Sequence, residues 1–70
     1  MIAIITAPGC GRCMTVKKIL EDKGIAFKEY SIKTEAGQFL AEKAGVAAAG
    51  TLVDLETYRK VEVQDVISGA

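Results

Sequence analysis

The residues of this chain best suited to chemistry are its two cysteines, which stand as Cys10-Gly11-Arg12-Cys13 directly after a short apolar run and a Pro8-Gly9 turn. The nucleophile in sulfur chemistry is the thiolate, so a cysteine reacts near neutral pH only where its surroundings favour the charged form. The first turn of a helix is such a place, because its backbone N–H groups lack intrahelical partners and carry partial positive charge. Cys10 is expected at that position. Cys13 falls one turn further on, on the inward side, where it is shielded and can close a disulfide with an accessible Cys10. The chain has no histidine, which excludes a Cys-His hydrolase pair and any zinc site that needs a histidine ligand.

The elements that must hold this pair can be read on either side of it. Met1 to Thr6 is a β-branched apolar run suited to a strand buried on both faces of a parallel sheet. From Gly11 to Lys23 the apolar residues recur at helical spacing, and Gly24 follows as a helix C-terminal residue. At about 100° per residue, Cys13, Val16, Ile19 and Leu20 share one side of that helix, while Lys17, Lys18 and Glu21 lie away from it. Ile25 to Ile32 reads as a second strand, parallel to the first, with Phe27 on one face and Tyr30 and Ile32 on the other. Thr34 caps a second helix ending at Gly45, whose buried face is predicted as Ala36, Phe39, Leu40 and Ala44; Gly37 weakens that helix. Thr51 to Asp54 is a third strand, Leu55 to Tyr58 a turn, and Lys60 to Val63 a half-exposed fourth strand. Gln64 to Ser68 leaves room for little more than one helical turn. The order βαβαββ fills residues 1–70 as a single α/β domain, without repeat, linker or low-complexity tract.

Composition limits the functions this unit can serve. Half of the 70 residues are hydrophobic, enough for a packed core, and nine basic side chains balance nine acidic ones. With no basic excess to neutralise phosphates and only four aromatic residues, nucleic-acid binding is disfavoured. No segment approaches the roughly 20 apolar residues of a membrane span and the start of the chain has no signal-like pattern, so a cytoplasmic protein without a membrane partner is expected. In a reducing compartment, paired cysteines are catalytic or metal-binding sooner than structural, and a bridge over so short a loop stabilises little.

The strand, the Pro8-Gly9-Cys10-Gly11-Arg12-Cys13 turn and the βαβαββ order together resemble the glutaredoxin-like and small thioredoxin-like proteins of the thioredoxin superfamily. The resemblance implies a four-stranded mixed sheet flanked by helices, with the C-terminal helix truncated or absent, and reversible thiol–disulfide exchange. Cys10 would correspond to the attacking cysteine and Cys13 to the resolving one, with no cofactor beyond their redox-active disulfide. Pro8, Gly9, Gly11 and Arg12 around the pair, and Gly50 and Thr51 opposite it, are the implied substrate contacts; no metal site is implied. Three departures from the family pattern stand out. Gly50 occupies the place of the family's cis-proline, predicting a trans or glycine-only loop there. Ala7 replaces a lysine before the motif, and Glu62-Val63-Gln64-Asp65 replaces a Gly-Gly acidic segment, which together disfavour glutathione dependence. A reduced C-terminal helix would leave an apolar sheet face for a second copy to cover, giving a monomer or a weak homodimer.

The leading expectation is a small disulfide oxidoreductase taking part in electron transfer and redox homeostasis. Its partners would be a disulfide-containing protein and a reductase or low-molecular-weight thiol. Two alternatives belong to other classes: a dimeric carrier in which two thiolates supply half of a four-sulfur zinc or iron–sulfur site, and a binding module whose pair is redox-idle. For Arg12 the choice is between raising the positive potential at Cys10 and simple solvation at the surface. Lys17 and Lys18 read as the wet face of a helix, and Phe27, Tyr30 and Phe39 as core.

Overall fold

The computed structural model describes residues 1–69. The elements run β1 (Ile2–Thr6), α1 (Gly11–Asp22), β2 (Phe27–Ser31), α2 (Glu35–Ala44), β3 (Leu52–Asp54), β4 (Arg59–Val61) and α3 (Val63–Gly69). The strands form one sheet in the order β2-β1-β3-β4. β1 lies parallel to β2, with Ile4 opposite Glu29, and antiparallel to β3, with Ile4 also opposite Leu52. β3 and β4 are antiparallel, joined through the Leu55–Tyr58 turn. The parallel β1–β2 pair follows from the crossover through α1, and the mixed sheet agrees with the expected fold.

Alternation along β1 divides the core into two layers. Ala3 and Ile5 face α2, where they pack with Leu40, Ala41 and Val53. Ile4 faces the other way, into a cluster with Cys13, Val16, Leu20 and Leu52, so the cysteine helix is seated on the sheet by the strand that leads into it. Phe27 belongs to the α1 layer and Tyr30 and Ile32 to the α2 layer, as the alternation of β2 requires.

The second helix begins and ends as expected: the Thr34 hydroxyl accepts a hydrogen bond from Gly37 N–H at 3.1 Å, and Gly45 terminates it with φ 71°. Its buried face differs from the expectation. Gly37, Leu40 and Ala41 are buried, whereas Ala36 is exposed and Phe39 is 59% exposed. Gly37 is the cause. A Cβ there would overlap the Ser31 carbonyl oxygen and lie 2.6 Å from its carbon, so the helix backbone sits directly against the end of β2. With Gly37 turned to the sheet, the residues sharing its side of the helix are Leu40, Ala41 and Ala44, and Phe39 lies about 200° away.

The end of the chain also corrects the sequence reading. β4 stops at Val61, paired with Leu52, and Val63 opens α3 instead of extending the strand. The C-terminal helix is short but present. Val63 and Val66, three apart on one face, pack against the α1 layer and cover part of the sheet face that its loss would leave bare. Lys17 is likewise not simply solvated, since its Nζ lies 2.9 Å from Glu29 Oε1 and ties α1 to edge strand β2.

Candidate functional site

β1 delivers the chain to the top of the sheet at Thr6, and the turn through Ala7, Pro8 and Gly9 follows. Gly9 adopts φ 72°, and Cys10 N–H donates to the Ala7 carbonyl at 3.2 Å. This closes the turn and sets Cys10 as the N-cap of α1 in extended conformation, with φ −84° and ψ 102°. Where a serine or aspartate usually caps a helix through oxygen, Cys10 does so through sulfur: Cys13 N–H donates to Cys10 Sγ at 3.1 Å. A negative charge on that sulfur is therefore stabilised by a directed N–H and by the helix terminus together.

Cys13 is held differently. It is 3% exposed, inside the apolar layer with Ile4 and Val16, whereas Cys10 is half-buried at the surface. The two are joined as a disulfide with their Cα atoms 5.3 Å apart, well within the range that one helical turn offers. Cys13 Sγ also lies 3.7 Å from the Ile5 carbonyl, within hydrogen-bonding reach for a thiol at that position.

Gly50 and Thr51 are brought to the pair by β1 itself. Beyond β3 the antiparallel hydrogen bonding continues, with Ile5 N–H to the Thr51 carbonyl at 3.1 Å and Gly50 N–H to the Ile5 carbonyl at 2.7 Å. The loop is thus fixed beside the cysteine turn by the strand that carries it. All peptide bonds among the described residues are trans, and Gly50 has φ 88°, the glycine-only conformation expected where the proline is missing. Gly50 is buried, and Arg12 lies across it: a Cβ at position 50 would stand 3.0 Å from Arg12 Cγ and 3.1 Å from Cδ.

Of the eight sequence-predicted site residues, Pro8, Gly9 and Gly11 form the exposed rim of Cys10, and Arg12, Gly50 and Thr51 line a cleft of about 200 Å³ between α1 and β4 that neither cysteine lines. Sequence reasoning missed Lys60 and Glu62, which complete that cleft from β4 and the segment after it. Their alternation marked them as outward-facing, but only the β1–β3–β4 register places them next to Arg12. Among the described residues no cluster of three or more histidine, cysteine or carboxylate side chains forms.

This strand–turn–helix arrangement lies within the part of the chain, residues 2–52, that matches the glutaredoxin family model. The chain belongs to the glutaredoxin family. The matched region holds both cysteines and the Gly50–Thr51 loop. The whole fold is similar to the crystal structure of the thioredoxin-like protein BC3987, with a TM-score of 0.77 and 22% identity over 97% of each chain. It is similar also to that of a point mutant of the same protein, with a TM-score of 0.75 and 19% identity over 97% of this chain and 96% of the other. No curated protein matches the chain. Membership of the glutaredoxin family, with Cys10 and Cys13 paired at the helix start, makes this protein a thiol–disulfide oxidoreductase in general terms. Among the described residues no helix is long and apolar enough to cross a membrane.

Proposed function

We propose that this glutaredoxin-family protein reduces and exchanges disulfides of protein substrates, working through both cysteines. The observation that carries the reading is the inequality of the two sulfurs: Cys10 caps α1 at the surface, and Cys13 is bonded to it from inside the core. In the dithiol form, Cys10 thiolate attacks one sulfur of the substrate disulfide. A Cys10–substrate bond forms and the first substrate thiolate departs, taking a proton from solvent. Cys13, its proton lost to solvent, then attacks Cys10 Sγ, forming the Cys10–Cys13 disulfide and releasing the second substrate thiol. The substrate has gained two electrons from the protein and two protons by way of solvent, to which Cys13 has released one. A reductase or a low-molecular-weight thiol restores the dithiol. Pro8, Gly9, Gly11 and Arg12 meet the substrate around Cys10, and the Gly50–Thr51 backbone meets it from across the cleft.

A protein substrate is favoured by the openness of the rim, where Pro8, Gly9, Gly11 and Met14 are all exposed around the nucleophile. Turnover with dithiothreitol as electron donor tests this. We expect kcat/KM for a disulfide-bonded polypeptide to exceed that for glutathione disulfide by about tenfold or more, the value of one or two extra apolar contacts in the transition state. Preference for the small disulfide by a similar factor would overturn the protein-substrate assignment.

A further inference from the structure

The cleft between α1 and β4, which Arg12 enters from between the two cysteines in the chain, has an unbalanced charge. Two cations, Arg12 and Lys60, face it with one carboxylate, Glu62. Neither cation pairs with a carboxylate: the ion pairs among the described residues are Lys17–Glu29 and Lys18–Asp22, both elsewhere. Arg12 is also not free to point anywhere. Its stem fills the space over Gly50 that a side chain there would need, with Cβ, Cγ and Cδ all 3.0 to 3.4 Å from where that Cβ would be. The bare glycine backbone, at φ 88°, thus forms a bed for the stem of an arginine that lines the cleft.

We propose that Gly50 is a positioning residue for Arg12, and that Arg12 with Lys60 makes the protein select disulfides flanked by an acidic residue. The selection rests on the reading of Cys10 as the attacking thiol. It arises because a carboxylate beside the scissile disulfide enters a cleft with one net positive charge, while a lysine there meets unpaired like charges. Arg12 and Lys60 approach from different elements, α1 and β4, so either alone leaves only a neutral cleft.

Two alkylating reagents that differ in charge test the field at Cys10 without any substrate. Iodoacetate and iodoacetamide require the same thiolate, so the ratio of their rates cancels thiolate fraction and reports local potential. For the reduced protein at low ionic strength we expect this ratio to fall by about threefold or more in Arg12→Gln and in Lys60→Gln, and the wild-type ratio to fall similarly in 0.5 M salt. Gly50→Ala keeps both charges yet displaces the Arg12 stem, and a fall in its ratio is the signature of positioning. Because alanine is strained at positive φ, Gly50→Asn, whose side chain tolerates that region and likewise displaces the Arg12 stem, takes over the positioning test if Gly50→Ala does not fold. Ratios unchanged in Arg12→Gln and Lys60→Gln overturn the charge selection, and a changed ratio in Arg12→Gln with none in a folded Gly50→Ala overturns the role of Gly50.

Two peptide disulfides identical except for glutamate or lysine beside the reacting cysteine supply the second arm. The glutamate peptide should be reduced with a kcat/KM about tenfold higher, a preference lost in Arg12→Gln. Equal rates on the two peptides overturn the substrate assignment. If neither peptide is reduced, the oxidoreductase reading fails instead, and the alkylation ratios still decide whether the field exists.

Discussion

Replacing Cys13 with serine should arrest the protein halfway through its reaction. Cys10→substrate attack needs only the capping thiolate, which Cys13→Ser retains because the hydrogen bond at 3.1 Å comes from the residue's backbone N–H and not from its side chain. The variant should therefore release one thiol per disulfide, remain bonded to the other half, and show that adduct by intact mass. In Cys10→Ser the same stretch of chain presents a hydroxyl that does not ionise near neutral pH, and exchange should fall by at least about a thousandfold. If, without added thiol, the wild-type protein accumulates the same adduct as Cys13→Ser and releases only one thiol per disulfide, the buried sulfur has no part in resolution.

The second large effect lies far from the chemistry. Glycine inside a helix normally costs about 1 kcal/mol relative to alanine, so propensity alone says that Gly37→Ala should stabilise α2. The packing says the opposite. The added methyl would overlap the Ser31 carbonyl oxygen and approach the Ile32 amide nitrogen to 3.2 Å, and both belong to backbone that cannot rotate away. Relieving the overlap means lifting α2 from the sheet and separating Leu40 and Ala41 from Ala3, Ile5 and Val53. A net loss of about 3 kcal/mol or more is expected. For a domain of this length that is a large part of a total stability of about 3–10 kcal/mol. Urea unfolding followed by circular dichroism measures it, with Ala36→Gly on the exposed side of the same helix expected to lose only about 1 kcal/mol. A Gly37→Ala variant as stable as the wild type would show that the helix seat is not as close as described.

These two residues also mark how far the sequence could be read. The cysteine pair was legible because its spacing, the Pro8-Gly9 turn before it and the helical periodicity after it all agree, and each is a local signal. Both capping residues of α2, Thr34 and Gly45, were legible for the same reason. The buried face of that helix was not. Hydrophobicity favours Phe39 as core, but the rotation of a helix about its axis is set by its closest contact, and here that contact is made by a residue with no side chain to advertise it. Val63 presents a similar limit: on β4 and on α3 it would be apolar and inward-facing alike, and the end of strand pairing at Val61 decides between them. From the sequence, only family resemblance puts the Gly50–Thr51 loop opposite the cysteines. Its position comes from two hydrogen bonds to Ile5 across 45 residues of chain or more, which no local pattern encodes. Lys60 and Glu62 join the cleft through the same long-range register.

The inequality between Cys10 and Cys13 is tested most directly by a redox titration with alkylation readout. The purified protein is equilibrated against dithiol buffers of defined potential, quenched with a thiol reagent and weighed. One two-electron transition is expected between a species alkylated twice and one not alkylated at all, with about 30 mV of potential for each tenfold change in ratio. Under limiting reagent the reduced protein should be labelled first at Cys10. Failure to form the intramolecular disulfide at any potential, or labelling of both thiols at equal rates, would contradict it.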